Sequence, residues 1–134
     1  MNLKEVFDEK FYSDLVKCDF VKDIEEMLSL PQMINIDISD FKDISNGEVV
    51  GSISQYFNDV NKEELIVKTI NDKQPNNCIV NIGGRIDLSL NEANSLVDKI
   101  RNKYKGLNII FGCYVNDSLE TKYKIHALLT YSNK

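Results

Sequence analysis

The sequence predicts a mixed α/β domain, and two patterns carry that prediction. Segments rich in β-branched and apolar residues, at 48–57, 77–82, 107–115 and 122–131, have the composition of β-strands. Between and before them lie segments whose apolar residues recur every three or four positions, as on one face of a helix. We expect a two-layer sandwich in which a four-stranded mixed sheet carries two helices on one face and follows a long N-terminal helix.

The N-terminal segment is predicted to form one long helix over residues 4–29. Its apolar residues form a stripe at helical spacing, apart from one six-residue step from Leu15 to Val21. Pro31 should end the helix, because the residue before a proline disfavours the α-helical region. The chain is accordingly divided into a long helix, 1–30, and a C-terminal domain, 31–134.

The region after Pro31 is predicted as strand, strand and helix. Residues 33–38 (MINIDI) alternate strictly between apolar and polar, as in a half-buried strand, and at most one helical turn should follow them. The strand over 48–57 comes next. Residues 61–73 are then predicted as a helix whose buried side carries Leu65, Ile66, Thr69 and Ile70.

The second half should contain a β-α-β unit over 76–115. Ser89 and Glu92 have capping-box spacing at the start of its helix, and Gly106 suits the helix's C-terminal end. A crossover between parallel strands of this kind is right-handed. The last two strands are separated by a short turn, so they are expected to form a hairpin.

Composition and charge disfavour several classes of function. The 134-residue chain has 43% hydrophobic and 28% charged residues, which is typical of a soluble globular domain. Its net charge of -5 makes nucleic acid and anionic membrane poor partners. No apolar run approaches the roughly 20 residues that span a bilayer, and the N-terminus has no segment of signal-peptide type. We therefore expect a cytoplasmic protein.

Metal and thiol chemistry have little support in the sequence. The three cysteines, Cys18, Cys78 and Cys113, lack close metal-ligand spacing. Cys78 and Cys113 lie in apolar, strand-like runs, where cysteine is usually a small buried hydrophobe. The single histidine, His126, is expected to be a packed or half-exposed side chain on a strand. We predict no metal site.

Three segments, in order along nearly the whole chain, carry a resemblance to a known family. In the first, Asn35, Asp37 and Asp40 form the pattern N-x-D-x-x-D after the helix-ending Pro31. The second and third segments, 80–101 and 108–131, contain a strand, loop and helix and then the last two strands, and their matching positions are Asp87, Leu88, Leu90, Glu92, Gly112, Lys124 and Thr130. Together the three segments resemble the C-terminal, polymer-forming half of the FtsZ/tubulin family, although Arg85 stands where that family usually has glycine.

The resemblance implies a GTPase site shared between two subunits of a head-to-tail cytoskeletal filament. One subunit holds GTP with a cation, and the acidic loop of the next subunit completes the pocket. Asp37 and Asp40 would orient and activate the attacking water, and Asn35 would contact the nucleotide or its water. In another interpretation Asp37 and Asp40 form a solvated turn, with Asp40 capping the next helical turn.

The sequence lacks the glycine-rich loop with which the family cradles phosphates. Its only adjacent glycines, Gly83 and Gly84, belong to a predicted strand-to-helix loop. We therefore expect no GTP binding and no GTPase activity from this chain alone. Its expected partner is an FtsZ-like GTPase subunit or domain.

Three hypotheses about function stay open. The chain is the C-terminal domain of a longer FtsZ-like cell-division GTPase, beginning about where the family's central helix begins. Alternatively, it is a free-standing protein that caps or regulates FtsZ filaments without binding GTP itself. A small α/β ligand-binding domain unrelated to filaments would have the same architecture, because fold does not fix function.

Overall fold

The computed structural model describes residues 3–59 and 61–133. In this part of the chain one six-stranded sheet has helices packed on both of its faces. The helices are α1 (Leu3–Val6), α2 (Glu9–Lys17), α3 (Val21–Ser29), α4 (Ile38–Ile44) and α5 (Leu90–Lys103). The strands are β1 (Gln32–Ile34), β2 (Glu48–Phe57), β3 (Lys68–Thr69), β4 (Asn77–Gly84), β5 (Asn108–Val115) and β6 (Tyr123–Tyr131).

The sheet has the strand order β1-β5-β4-β6-β2-β3. Strands β4 and β5 are parallel and α5 connects them, which confirms the predicted β-α-β unit. The predicted hairpin is wrong, because β4 lies between β5 and β6 and pairs with both. The prediction of four strands is also too low, since the short edge strands β1 and β3 extend the sheet to six.

The predicted long N-terminal helix is three helices, α1 to α3. Asp8 starts α2 as its N-cap, and its carboxylate accepts a hydrogen bond from the amide of Phe11 at 2.8 Å. Asp19 separates α2 from α3 with a φ of 55°, in the left-handed region that interrupts a helix. This second break lies within the six-residue step from Leu15 to Val21.

The region between Pro31 and β4 also differs from the prediction. Strand β1 ends at Ile34, and the predicted single turn is the seven-residue helix α4. No helix forms over 61–73, where β3 pairs instead with β2. Gln55 of β2 holds the residues that precede β3 in an extended conformation. Its side chain donates to the carbonyl of Glu64 and accepts from the amide of Ile66, both at 2.8 Å.

The sheet is covered on both faces, so the domain has three layers instead of two. Helix α5 packs on one face, against alternate residues of β4 and β6 such as Val80 and Ala127. Helices α1 to α4 pack on the other face, against the intervening residues such as Ile79 and Leu128. The prediction failed here because strands buried on both faces lose the polar alternation that marks a solvent-exposed face.

Local signals in the second half are confirmed. Ser89 and Glu92 form a capping box at the start of α5. Gly106 has a φ of 75° just beyond the end of that helix. Cys78 and Cys113 are buried, and burial raises the pKa of their thiols to about 12 and about 11, so both stay protonated at neutral pH. None of the helices in the described ranges is long and apolar enough to cross a membrane.

Candidate functional site

The acidic loop, which we define as residues 35–40, comprises the connection that follows β1 and the first turn of α4. Ile36 anchors it, since this side chain is buried against β5 at Gly112. A Cβ atom on Gly112 would lie 2.6 Å from Cδ1 of Ile36, so only glycine allows this close approach. Asn35 and Asp37, on either side of Ile36, are exposed. The packing of Ile36 against the sheet therefore fixes the loop, while the side chains of Asn35 and Asp37 face solvent.

A capping box sets the positions of both aspartates. Oδ1 of Asp37 accepts hydrogen bonds from the amides of Ser39 at 2.9 Å and Asp40 at 3.4 Å. In return, Oδ2 of Asp40 accepts from the amide of Asp37 at 2.9 Å. Asp37 is thus the N-cap of α4, and Asp40 occupies the third helical position. The alternative interpretation assigned the cap to Asp40, whereas the N-cap is Asp37.

Each of these carboxylates keeps one oxygen outside the box. Within residues 3–59 and 61–133, Oδ2 of Asp37 and Oδ1 of Asp40 accept no hydrogen bond, and neither side chain forms an ion pair. The hydroxyl of Ser39 and the two amides lower the pKa of Asp37 below its ordinary value, so this carboxyl is ionised at neutral pH. Such a pair can orient a water molecule or share a cation.

A cation at the loop would need ligands from elsewhere. The described ranges contain no group of three or more His, Cys, Asp or Glu side chains arranged to hold a metal ion. Asn35 adds an exposed amide one residue before Ile36, and it makes no side-chain hydrogen bond to any described residue. All three residues predicted for the site therefore lie on one loop, with polar atoms available to another molecule.

The sequence patterns did not indicate a second group of ionisable residues. We call it the ionic cluster, and it joins α3 to the central strands on the face opposite α5. Nε2 of His126 lies 2.6 Å from both Oε2 of Glu26 and the hydroxyl of Tyr114. Nδ1 of His126 lies 3.2 Å from a carboxylate oxygen of Asp23. The members of the ionic cluster are Asp23, Glu26, Tyr114, Lys124 and His126.

The ionic cluster is largely buried, although the Glu26 side chain is 32% exposed, and it places two acids beside a lysine and a histidine. His126 is fully buried, and its two ring nitrogens lie close to carboxylate oxygens of Asp23 and Glu26, although Nδ1 makes no hydrogen bond to any described residue. Nζ of Lys124 lies 3.7 Å from oxygens of both Asp23 and Glu26. Burial alone would raise the pKa of Asp23, but its contacts with His126, Ser54 and Lys124 bring the pKa below its ordinary value. Burial and the Glu26 charge raise the pKa of Tyr114.

One sequence signal could have indicated the ionic cluster. Asp23 and Glu26 are three residues apart, on the same side of a helix whose neighbours Ile24 and Met27 are core residues. Their partners on β6, Lys124 and His126, alternate with apolar residues and would normally be assigned to solvent. Only the placement of α3 over that face of the sheet buries them. The prediction of His126 as a packed or half-exposed side chain therefore missed its ionic contacts.

The comparison with protein families gives a defined match. Residues 62–132, more than half of the chain, match the FtsZ family, C-terminal domain. The chain belongs to the FtsZ family. This match begins after the acidic loop, so it establishes the domain and does not cover Asn35, Asp37 or Asp40.

Individual relatives extend the similarity over most of the chain. Cell division protein FtsZ 2 of Halobacterium salinarum is 28% identical over 127 residues, covering 87% of this chain and 32% of that protein. Cell division protein FtsZ of Mycoplasmopsis pulmonis is 24% identical over 133 residues, covering 92% and 34%. The chain thus spans about a third of the length of these FtsZ relatives.

The fold is that of the FtsZ structures. The structure of an empty FtsZ dimer of M. jannaschii superposes with a TM-score of 0.63 at 20% identity, covering 89% of this chain and 38% of that one. A second M. jannaschii structure, the FtsZ W319Y mutant, gives a TM-score of 0.57 at 19% identity, covering 89% and 39%. At this identity the superpositions show the shared fold.

Proposed function

We propose that this chain is the C-terminal domain of an FtsZ-like cell-division GTPase, and that its acidic loop completes the GTPase site of a neighbouring subunit in a head-to-tail filament. The observation that carries the proposal is the capping box. It fixes Asp37 and Asp40 relative to each other while leaving one oxygen of each without a hydrogen-bond partner in the described ranges. Membership of the FtsZ family supports the role in cell division.

The proposed chemistry follows from that geometry. The partner subunit holds GTP with a cation. The attacking water donates hydrogen bonds to the free oxygens of Asp37 and Asp40, which orient it. The amide of Asn35 contacts the nucleotide or the same water. Positioning of this kind lowers the barrier only if the groups are already in place, and the capping box and buried Ile36 supply that rigidity.

The nucleotide lies on another domain or another molecule in this proposal. The chain covers about a third of its FtsZ relatives, and its sequence contains no glycine-rich phosphate-binding loop. GTP, the cation and the filament contact are therefore supplied by an FtsZ-like partner subunit or by the rest of a longer protein.

The experiment adds the purified chain to an assembling full-length FtsZ with GTP and records phosphate release and light scattering. The informative variant is Asp37→Asn, because asparagine caps a helix as well as aspartate does but carries no charge. We expect the unaltered chain to raise phosphate release and Asp37→Asn to lose that stimulation by about 100-fold, the usual contribution of a positioned acid-base group. The matched control is Asp43→Asn, an exposed aspartate of α4 outside the capping box.

The outcomes separate the two functional hypotheses that involve filaments. A regulator that only caps filament ends would change light scattering, and Asp37→Asn would act like the unaltered chain. A chain that changes neither phosphate release nor scattering, even in excess, would contradict both. Equal losses in Asp37→Asn and Asp43→Asn would indicate a general effect of surface charge instead of a defined site.

A further inference from the structure

Gln32, the first residue of β1, holds the acidic loop through three hydrogen bonds to the main chain. Its Nε2 donates to the carbonyl oxygens of Met27 at 2.6 Å and Ile36 at 3.3 Å. Its Oε1 accepts from the amide of Ile36 at 2.6 Å. One side chain thus ties the last turn of α3 to the residue that lies between Asn35 and Asp37.

The sequence explains why these main-chain groups need a side-chain partner. In a continuing helix the carbonyl of Met27 would accept from the amide four residues later, but that residue is Pro31, which has no amide hydrogen. Ile36 is a buried residue of a loop, beyond the end of the β1 ladder at Ile34. Leaving buried main-chain groups without hydrogen-bond partners costs free energy of folding. The side-chain amide of Gln32 supplies partners both for the carbonyl of Met27 and for the main chain of Ile36.

We propose that Gln32 is the positioning residue of the acidic loop, setting the direction in which Asn35 and Asp37 reach a neighbour's GTP. The inference rests on the proposed function for its catalytic consequence, because Gln32 itself touches neither nucleotide nor water. Its physical basis is geometric. Both polar residues flank Ile36, so a rotation of the Ile36 peptide moves them together, and a displacement near 1 Å can cost about 100-fold in rate.

The molecule offers a matched control for this role. Gln55 makes the same kind of clamp on another segment, donating to the carbonyl of Glu64 and accepting from the amide of Ile66. The variants Gln32→Met and Gln55→Met therefore remove equivalent hydrogen bonds with a side chain of similar length, one beside the acidic loop and one on the segment that precedes β3. Both are prepared in the full chain.

Two measurements are made on each variant. Amide hydrogen exchange by NMR on the isolated chain should show faster exchange at Ile36 in Gln32→Met and at Ile66 in Gln55→Met. In the phosphate-release assay with full-length FtsZ, Gln32→Met should lower the rate at saturating chain by about tenfold while changing the half-saturating concentration by less than about twofold. Gln55→Met should retain the full rate. This division between rate and half-saturation is expected of positioning and not of a general loss of folded protein.

The outcomes are decided separately. Unchanged exchange at Ile36 in Gln32→Met would overturn the clamp. Faster exchange at Ile36 with an undiminished saturating rate would overturn its positioning role. If the unaltered chain gives no stimulation, the proposed function fails and the catalytic consequence fails with it, while the exchange at Ile36 still decides whether Gln32 fixes the loop.

Discussion

Two pairs of carboxylates in this chain have the same spacing and opposite environments. Asp23 and Glu26 lie on α3, and Asp37 and Asp40 lie at the start of α4, each pair three residues apart. The first pair faces the buried imidazole of His126 and a lysine, whereas the second pair has no cationic partner among the described residues. Spacing alone does not tell the two pairs apart. The layer packed over the sheet decides which acids serve the fold and which are available to another molecule.

The two pairs differ in whether cationic side chains of the same chain neutralise their carboxylates. A buried charge is tolerated only with an opposite charge and hydrogen bonds, and removing one partner leaves the other uncompensated. The ionic cluster places Lys124 and His126 beside its two acids, although Oδ2 of Asp23 has no hydrogen-bond partner among the described residues. The carboxylates of the acidic loop are exposed, and water solvates their charge in place of a cationic side chain. They can therefore still contact a cation or another molecule's nucleotide site.

The largest expected effect is on stability and comes from His126→Ala. The change leaves the carboxylates of Asp23 and Glu26 with one lysine between them inside the protein, and it also opens a cavity. We expect the free energy of unfolding to fall by about 3–5 kcal/mol. Denaturant unfolding followed by circular dichroism measures it.

The control for that prediction is Arg101→Ala, which removes an exposed ion pair with Asp98 on α5. It should cost no more than about 0.5 kcal/mol. Asp23→Asn should fall between the two, at roughly 1–3 kcal/mol, because one carboxylate of the buried pair remains. A loss for His126→Ala as small as that for Arg101→Ala would show that the ionic cluster contributes little to the fold.

The next largest loss of stability is expected from substituting two glycines, one packed against the ionic cluster and one against the acidic loop. A Cβ atom on Gly83 would overlap the ring of Tyr114 in the ionic cluster. A Cβ atom on Gly112 would lie 2.6 Å from Ile36 of the acidic loop and 2.9 Å from the side-chain oxygen of Asn81. Gly83→Ala and Gly112→Ala should each lower the free energy of unfolding by about 1–3 kcal/mol, through overpacking.

The two alanine variants should differ in what else they disturb. Gly112→Ala should change the NMR chemical shifts of residues 35–40, and Gly83→Ala should change those of α3 and β6. A stability loss from Gly112→Ala without any change in the acidic loop would contradict the role of Ile36 as its anchor.

A smaller effect is expected from acid. The folded pKa of Asp23 is below its ordinary value of 3.8, so the unfolded chain binds the proton more tightly. The stability that this carboxylate contributes is therefore complete above 3.8 and is lost as the pH falls through the lower folded value. Unfolding measured from pH 6 to pH 2 should show a shallower loss below about pH 4 in Asp23→Asn than in the unaltered chain. Parallel curves would contradict this assignment.

The sequence predicted the elements whose signals are local. Strand β2 was predicted with its exact bounds, and Ser89 and Glu92 correctly marked the start of α5. The acidic loop was predicted from the resemblance to the FtsZ/tubulin family, and its catalytic role stays a prediction. Its capping box was not predicted, because the alternative interpretation assigned the cap to Asp40, whereas the N-cap is Asp37.

The failures share a cause in long-range packing. The apolar stripe of 4–29 runs through three helices because all of them cover one sheet face, so periodicity gave no break at Asp8 and only a weak one near Asp19. In the segment 61–73 the apolar residues have helical spacing, but the segment is extended and lies at the edge of the sheet. Ile66, which was predicted to be buried, is 71% exposed. Strand neighbours and buried charges depend on which layers meet, and single-sequence patterns do not contain that information.

The smallest expected effect is the one that most sharply distinguishes the two pairs. Asp37→Asn keeps an oxygen that can cap α4 and removes the charge of an exposed side chain, whose lowered pKa means that the folded state favours the ionised form, so the thermal midpoint should fall only slightly. The same change at Asp23 should lower that midpoint clearly, since its charge is opposed by His126 and Lys124 inside the protein. Differential scanning calorimetry of both variants at pH 7 makes the comparison. Equal losses would mean that the charge of Asp37 is already committed to the fold, and an acid so committed would be a poor candidate to orient water on a neighbour's nucleotide.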